Sequence, residues 1–111
     1  MVEVLSGPVR SEDVRQLLSA CKTVIKLAVD VDRRLVAGGG AFHADGVAAL
    51  LEAGSQQESI WGADWISSTR EVRCESLINV RPGQGNAARA LQDASLRTRI
   101  EAVVRTYLDP S

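Results

Sequence analysis

Two stretches of the chain alternate apolar and polar residues with the period of a β-strand. In residues 24–31 the odd-numbered positions are all apolar, while Lys26 and Asp30 lie on the other face, which is typical of a half-buried strand. Residues 71–81 repeat the alternation over a longer stretch, which is ended by the following residue, Pro82. Shorter apolar runs predict three further strands at residues 2–5, 34–38 and 59–66, the last with Gly62 at a bulge.

Apolar residues spaced three and four apart predict three helices. The first covers residues 12–22. A short second helix begins at Ala44 or Asp45 and ends at Gly54, which suits the position after a helix C-terminus. Asp93 is placed as the N-cap of the third helix. The apolar stripe of this last helix is Leu96, Ile100, Val103, Val104 and Tyr107.

The element order β-α-β-β-α-β-β-α indicates an α+β protein. Two short connections, around Asp32 and around residues 67–69, join consecutive strands and favour antiparallel pairing. We therefore expect a mostly antiparallel sheet of four or five strands with three helices. The first and last helices are expected on one face, which leaves the second face to water or to a partner. With 111 residues, the whole of 1–111 is predicted to form one domain.

Charge and cysteine content narrow the function classes. The 13 basic and 14 acidic residues give a net charge of −1, which opposes nucleic-acid binding. No apolar run approaches the roughly 20 residues of a membrane-spanning helix, and no N-terminal signal segment is visible. Cys21 and Cys74 fall at apolar positions and are expected to be unpaired and buried, as in a cytoplasmic protein. One histidine and no paired cysteine motif predict neither a metal site nor a cofactor.

The glycine-rich loop from Gly38 to Asp45 is the first candidate site. A flexible loop that enters a helix presents backbone N–H groups that suit an anion, although this sequence matches no phosphate-loop pattern. Asp45 is equally suited to cap the helix. His43, the only histidine, is the candidate catalytic base, with its ring oriented by Asp45 or Asp30. The alternative is a structural hydrogen bond within the loop.

A second polar cluster follows residues 71–81. Arg81 can bind a carboxylate or phosphate with two parallel hydrogen bonds, or can pair structurally with Asp30 or Glu75. Asp30 and Asp32 have a spacing that can hold Mg²⁺, but Asp32 fits the hairpin turn better. Besides His43, the candidate ligand-binding residues are Asp30, Asp45, Gln57, Asn79, Arg81 and Asn86.

Two strings resemble a family of small uncharacterised bacterial proteins, a domain of unknown function. They are HADGVAALLEAGSQQESIWGADW at 43–65 and SLINVRPGQGN at 76–86. The resemblance extends over nearly the whole chain and departs at Ala41, where it would suggest Glu, and at the pair Ala63-Asp64. It implies no activity, but it groups the polar candidates into one set.

Three functions follow from these features. The predicted function is a small-ligand or anion-binding site at the Gly38–Asp45 loop and the Asn79–Asn86 segment, with catalysis undecided. The alternative is a non-catalytic homodimer or adaptor that uses Trp61, Trp65 and the second sheet face. A toxin-like ribonuclease is supported by fold analogy alone, and the acidic middle of the chain opposes it.

Overall fold

A computed structural model describes residues 23–108 and, before them, residues 2–5, 7, 9, 14, 17 and 18. The strands are β1 (Glu3–Val4), β2 (Val24–Asp30), β3 (Leu35–Gly38), β4 (Ile60–Ile66) and β5 (Val72–Arg73). The α-helices are α1 (His43–Glu52) and α2 (Ala94–Leu108). Single 3-10 turns lie at Gln57–Ser59, Leu77–Asn79 and Pro82–Gln84.

The five strands form one sheet in the order β1-β3-β2-β4-β5, and every neighbouring pair is antiparallel. The α+β class and the antiparallel sheet are therefore confirmed. β3 and β4 pair with opposite edges of β2. The connection through α1 consequently crosses over β2, which brings the start of the helix above the sheet.

The described residues contain two α-helices rather than the expected three. The predicted helix at 12–22 lies largely outside the described residues, as does Cys21. Of that segment, Val14, Leu17 and Leu18 are described, and their side chains belong to the same apolar cluster as α2. No helix among the described residues is long and apolar enough to cross a membrane.

The two helices pack on opposite faces of the sheet. The face that carries Ile25, Leu27 and Val29 packs against the buried stripe of α2. The other face packs Ala28 and Ala37 against α1 through Leu50. The expectation that this second face has no helix is wrong. Gly46 allows the close approach, because a Cβ there would lie 2.9 Å from the Cβ of Ala28.

The predicted strand at residues 71–81 is wrong beyond Arg73. The chain leaves the sheet because Ser76 accepts the N–H of Ile78 at 3.3 Å and starts a 3-10 turn. Gly62 does not form a bulge but keeps regular register opposite Ala28. It lacks a side chain for another reason, since a Cβ at Gly62 would lie 2.5 Å from the Cβ of Ser76.

Candidate functional site

An open groove of about 550 Å³ lies on the α1 side of the sheet, where the helix begins. Its floor includes Lys26 of β2 and Asp64 of β4, which are direct partners across the two strands. The size is that of a site for a small molecule. The remaining lining residues are Phe42, His43 and Ala44 on one side and Glu75, Ser76, Leu77, Ile78 and Arg89 on the other.

His43 is held against Asp64 inside this groove. Its Nε2 lies 2.6 Å from Asp64 Oδ1, and the two side chains are 15% and 22% exposed. The prediction that Asp45 or Asp30 orients the ring is wrong, because β4 supplies the carboxylate. Nδ1 makes no hydrogen bond within the described residues. We infer that Nε2 carries the proton donated to Asp64, which leaves the Nδ1 lone pair for another partner.

Asp45 acts as the cap of α1. Its Oδ2 accepts the backbone N–H of Phe42 at 3.0 Å, and its own N–H donates to the Phe42 carbonyl at 3.1 Å. Gly40 leaves room for this carboxylate, since a Cβ there would lie 2.7 Å from Asp45 Oδ2. The glycine-rich loop thus accommodates a helix cap.

Asp30 is buried at the end of β2 and closes the hairpin. Its Oδ1 accepts the N–H groups of Asp32 and Arg33, both at 3.0 Å, and Oδ2 is buried without a partner in the described part of the chain. Asp32 instead lies in the turn, where its Oδ2 accepts the Ser59 hydroxyl at 2.5 Å. That bond lowers the pKa of Asp32. No group of three or more metal-ligating side chains occurs among the described residues.

Asn79 and Asn86 are buried and bonded to backbone. Asn79 Nδ2 donates to the carbonyls of Gly62 at 3.0 Å and Arg89 at 3.3 Å. Asn86 Nδ2 donates to the carbonyls of Asn79 at 2.8 Å and Ala88 at 2.7 Å. Asn79 therefore holds the segment that follows β5 against β4, Asn86 closes the 79–92 loop on itself, and neither carboxamide lines the groove.

Arg81 is bonded to the turn just before it and to the stretch that leads into β4. Its Nε donates to the Ile78 carbonyl at 2.8 Å, Nη1 donates to the Gln57 carbonyl at 3.0 Å, and Nη2 donates to the Ile60 carbonyl. The guanidinium also stacks on Trp61, with its carbon 4.3 Å from a ring centroid. Burial lowers the pKa of Arg81. Gln57 contributes its backbone carbonyl to this contact.

Of the residues predicted from sequence, only His43 lines the groove. Sequence reasoning missed Lys26, Asp64 and Arg89 as its companions. The one local signal for Asp64 in the sequence is that it is the only acid in the otherwise apolar β4. The two tryptophans proposed as a contact surface, Trp61 and Trp65, are both buried.

A family model described as "Protein of unknown function (DUF5674)" matches residues 3–107. This match confirms the resemblance to a domain of unknown function that the two sequence strings indicate. Comparison with curated proteins and with solved structures finds no match. The groove must therefore be interpreted from its own chemistry.

Proposed function

The chain belongs to the DUF5674 family of proteins of unknown function, and we propose that it binds a small ligand in the groove, with His43 as the proton-accepting group. The 2.6 Å contact between His43 and Asp64 is the observation that carries this proposal. A histidine oriented by a carboxylate on one nitrogen and unbonded on the other has the arrangement of a general base.

The pair can take up a proton and hold it. When Nδ1 accepts a proton from a ligand, the imidazole becomes a cation, and Asp64 at Nε2 stabilises that charge. Both side chains are partly exposed, so a ligand in the groove can reach them. The pair would act on a ligand that presents an O–H, an N–H or an acidic C–H to His43.

The single histidine makes this proposal directly testable. In ¹⁵N NMR spectra of the full chain, we expect the neutral His43 ring to show a protonated Nε2 and an unprotonated Nδ1. A library of small polar fragments is then screened by the shift of the His43 ring protons. Fragments that shift the ring should bind at least tenfold more weakly to the Asp64→Asn variant.

Asp32→Asn is the matched control, because Asp32 is an exposed acid outside the groove lining. It should leave fragment binding unchanged. A His43→Ala variant should keep its melting temperature within about 2 °C, which corresponds to a loss well below 1 kcal/mol. A large drop in melting temperature, with no fragment that shifts the ring, would show that the His43–Asp64 pair is structural.

We also propose a cytoplasmic location and retain homodimer formation as the alternative function. Cys74 is a free thiol, which supports a reducing compartment. The tryptophans that suggested a dimer surface are buried, so a dimer would need another surface. Light scattering at high concentration measures the oligomeric state, and a strict monomer would exclude the homodimer.

A further inference from the structure

Phe42 occupies the N-cap position of α1, where Ser, Thr, Asp and Asn are preferred. Its side chain makes no capping hydrogen bond, and the side chain is 67% exposed at the groove. Asp45, in the first turn of the helix, instead accepts the backbone N–H of Phe42. A large aromatic ring at a position that favours a small polar residue is a local departure of the kind found at functional sites.

Leu77 presents a second exposed apolar group on the other side of the groove. It is 68% exposed and belongs to the 3-10 turn Leu77–Asn79. Four large apolar residues are exposed in the described part of the chain, and the two most exposed, Phe42 and Leu77, both line the groove. Exposed apolar groups gathered at one groove indicate an apolar contact surface.

Two cations also line the groove. The ammonium of Lys26 lies 5.6 Å from the centroid of the Phe42 ring. Neither Lys26 nor Arg89 forms an ion pair with a carboxylate among the described residues. Of the two acids in the lining, Asp64 is occupied by His43, and Glu75 is exposed. The lining therefore carries two cations and two carboxylates, and because Oδ1 of Asp64 is engaged by His43, the charged groups left for a ligand are Lys26, Arg89 and Glu75.

We propose that the ligand is a small organic anion, with a flat apolar or aromatic group against Phe42 and Leu77 and a carboxylate or phosphate on Lys26 or Arg89. This inference rests on the proposed function, because the anion would lie beside the His43–Asp64 pair. The Phe42 ring supplies stacking area, and the nearby ammonium places positive charge at the same end of the groove. A cavity of about 550 Å³ holds a single-ring compound of this type.

The test uses phenyl phosphate and benzoate against inorganic phosphate, acetate and benzyl alcohol. Each is titrated into the ¹⁵N-labelled full chain, and the backbone amides of Ala44, Asp64 and Ser76 report binding. We expect at least one aromatic anion to bind tenfold or more tightly than its non-aromatic counterpart and than benzyl alcohol. Whether phenyl phosphate or benzoate binds more tightly distinguishes the two anionic groups.

Variants assign the two halves of the ligand. Phe42→Ala should weaken the binding of the aromatic anion at least fivefold, and Phe42→Tyr should retain this binding. Leu51→Ala is the control, because Leu51 is an exposed apolar residue of the same helix outside the groove. At least one of Lys26→Gln and Arg89→Gln should weaken the binding of anions at least fivefold, whereas Arg73→Gln should change it less than twofold. Arg73 is the β5 partner of Asp64 but does not line the groove.

Four results would overturn this inference. If neither aromatic anion binds more tightly than benzyl alcohol, the ligand is not an anion, and if neither binds more tightly than its non-aromatic counterpart, the ligand has no apolar group. If neutral polar fragments shift His43 while no anion binds, the ligand class is wrong and the proposed function stands. If nothing in either set shifts the groove, both proposals fail.

Discussion

The carboxamide of Asn79 pairs with both backbone groups of Gly62, as a neighbouring strand would. Asn79 Oδ1 accepts the Gly62 N–H at 2.7 Å, and Nδ2 donates to the Gly62 carbonyl at 3.0 Å. β5 pairs with β4 only at Asp64 and Trp65. One side chain therefore continues the pairing of β4 where β5 does not reach, and buried backbone groups stay bonded.

Replacing Asn79 with Asp should destabilise the protein. The change keeps the shape of the side chain but puts an oxygen where Nδ2 donates to the Gly62 and Arg89 carbonyls. Leaving buried acceptors unsatisfied should cost about 1–3 kcal/mol or more in the free energy of unfolding, measured by urea titration. Gln56→Glu makes the same amide-to-acid change at an exposed position and should cost less than about 0.5 kcal/mol. Equal losses in the two variants would contradict the bridging role.

Gly62→Ala should also be destabilising, because the added methyl group has no space. Its Cβ would lie 2.5 Å from Ser76 Cβ and 2.9 Å from a side-chain carbon of Ile78. Overpacking of this kind costs about 1–3 kcal/mol. Gly83→Ala is the matched control, since a Cβ there meets nothing within 4 Å. Similar melting temperatures for the two variants would show that the contact between β4 and the 76–78 turn relaxes freely.

The elements that sequence patterns locate well depend on local interactions. β2 and β4 lie almost where the period-two pattern and the apolar run predict them, because both are central strands buried by their own apolar residues. Asp93 caps α2 as predicted, with its Oδ1 accepting the N–H groups of Ser95 at 2.9 Å and Leu96 at 3.2 Å. Each of these signals lies within a few residues of the structure that it determines.

The elements that sequence patterns miss depend on distant partners. Residues 71–81 alternate like a strand, but Asn79 faces inward because its partner is the backbone of Gly62, 17 residues earlier. His43 likewise finds Asp64, 21 residues later, because the loop between β3 and α1 carries the helix start across β2 to β4. Alternation records which residues share a face of a strand, not which distant backbone they reach.

Arg81→Lys should lower stability without affecting the groove. Lysine lacks the planar fork that reaches the carbonyls of Ile78, Gln57 and Ile60. We expect a loss of about 1–3 kcal/mol in chemical denaturation. Arg99→Lys is the control, because the exposed pair of Arg99 with Asp32, at 3.4 Å, should contribute less than about 1 kcal/mol. Loss of fragment binding at His43 with unchanged stability would instead make Arg81 a ligand residue.

Val103→Ala should open a cavity beneath α2. The side chain is 2% exposed and belongs to the main apolar cluster. Truncation should cost on the order of 1–4 kcal/mol by loss of burial and creation of a void. Thr106→Ala, on the exposed face of the same helix, should change stability by less than about 0.5 kcal/mol. If Val103→Ala has no effect on the denaturation midpoint, this face of α2 does not pack against the core.

Cys74 should react slowly with a thiol reagent in the native protein. Burial raises the pKa of its thiol to about 11, and the charge of Glu101 adds to this while Arg97 opposes it. At pH 8 the thiolate fraction should therefore be roughly two-hundredfold below that of an ordinary cysteine with a pKa near 8.5. A colorimetric thiol assay in denaturant should find two thiols, because the sequence contains two cysteines.

The raised pKa of Cys74 also fixes the sign of a pH effect. Below the unfolded-state pKa, both states keep the thiol protonated, so its contribution to stability is fully present. Between that value and about 11, only the unfolded state ionises, and stability should fall as the pH rises. Cys74→Ser should reduce this alkaline loss in denaturation curves recorded across that range.

The two neighbouring charges should change how fast native Cys74 reacts with a thiol reagent. Glu101→Gln should speed this reaction and Arg97→Gln should slow it, because the two charges act on the thiol with opposite sign. Rates that move together in the two variants would mean that access, rather than charge, controls the reactivity of Cys74.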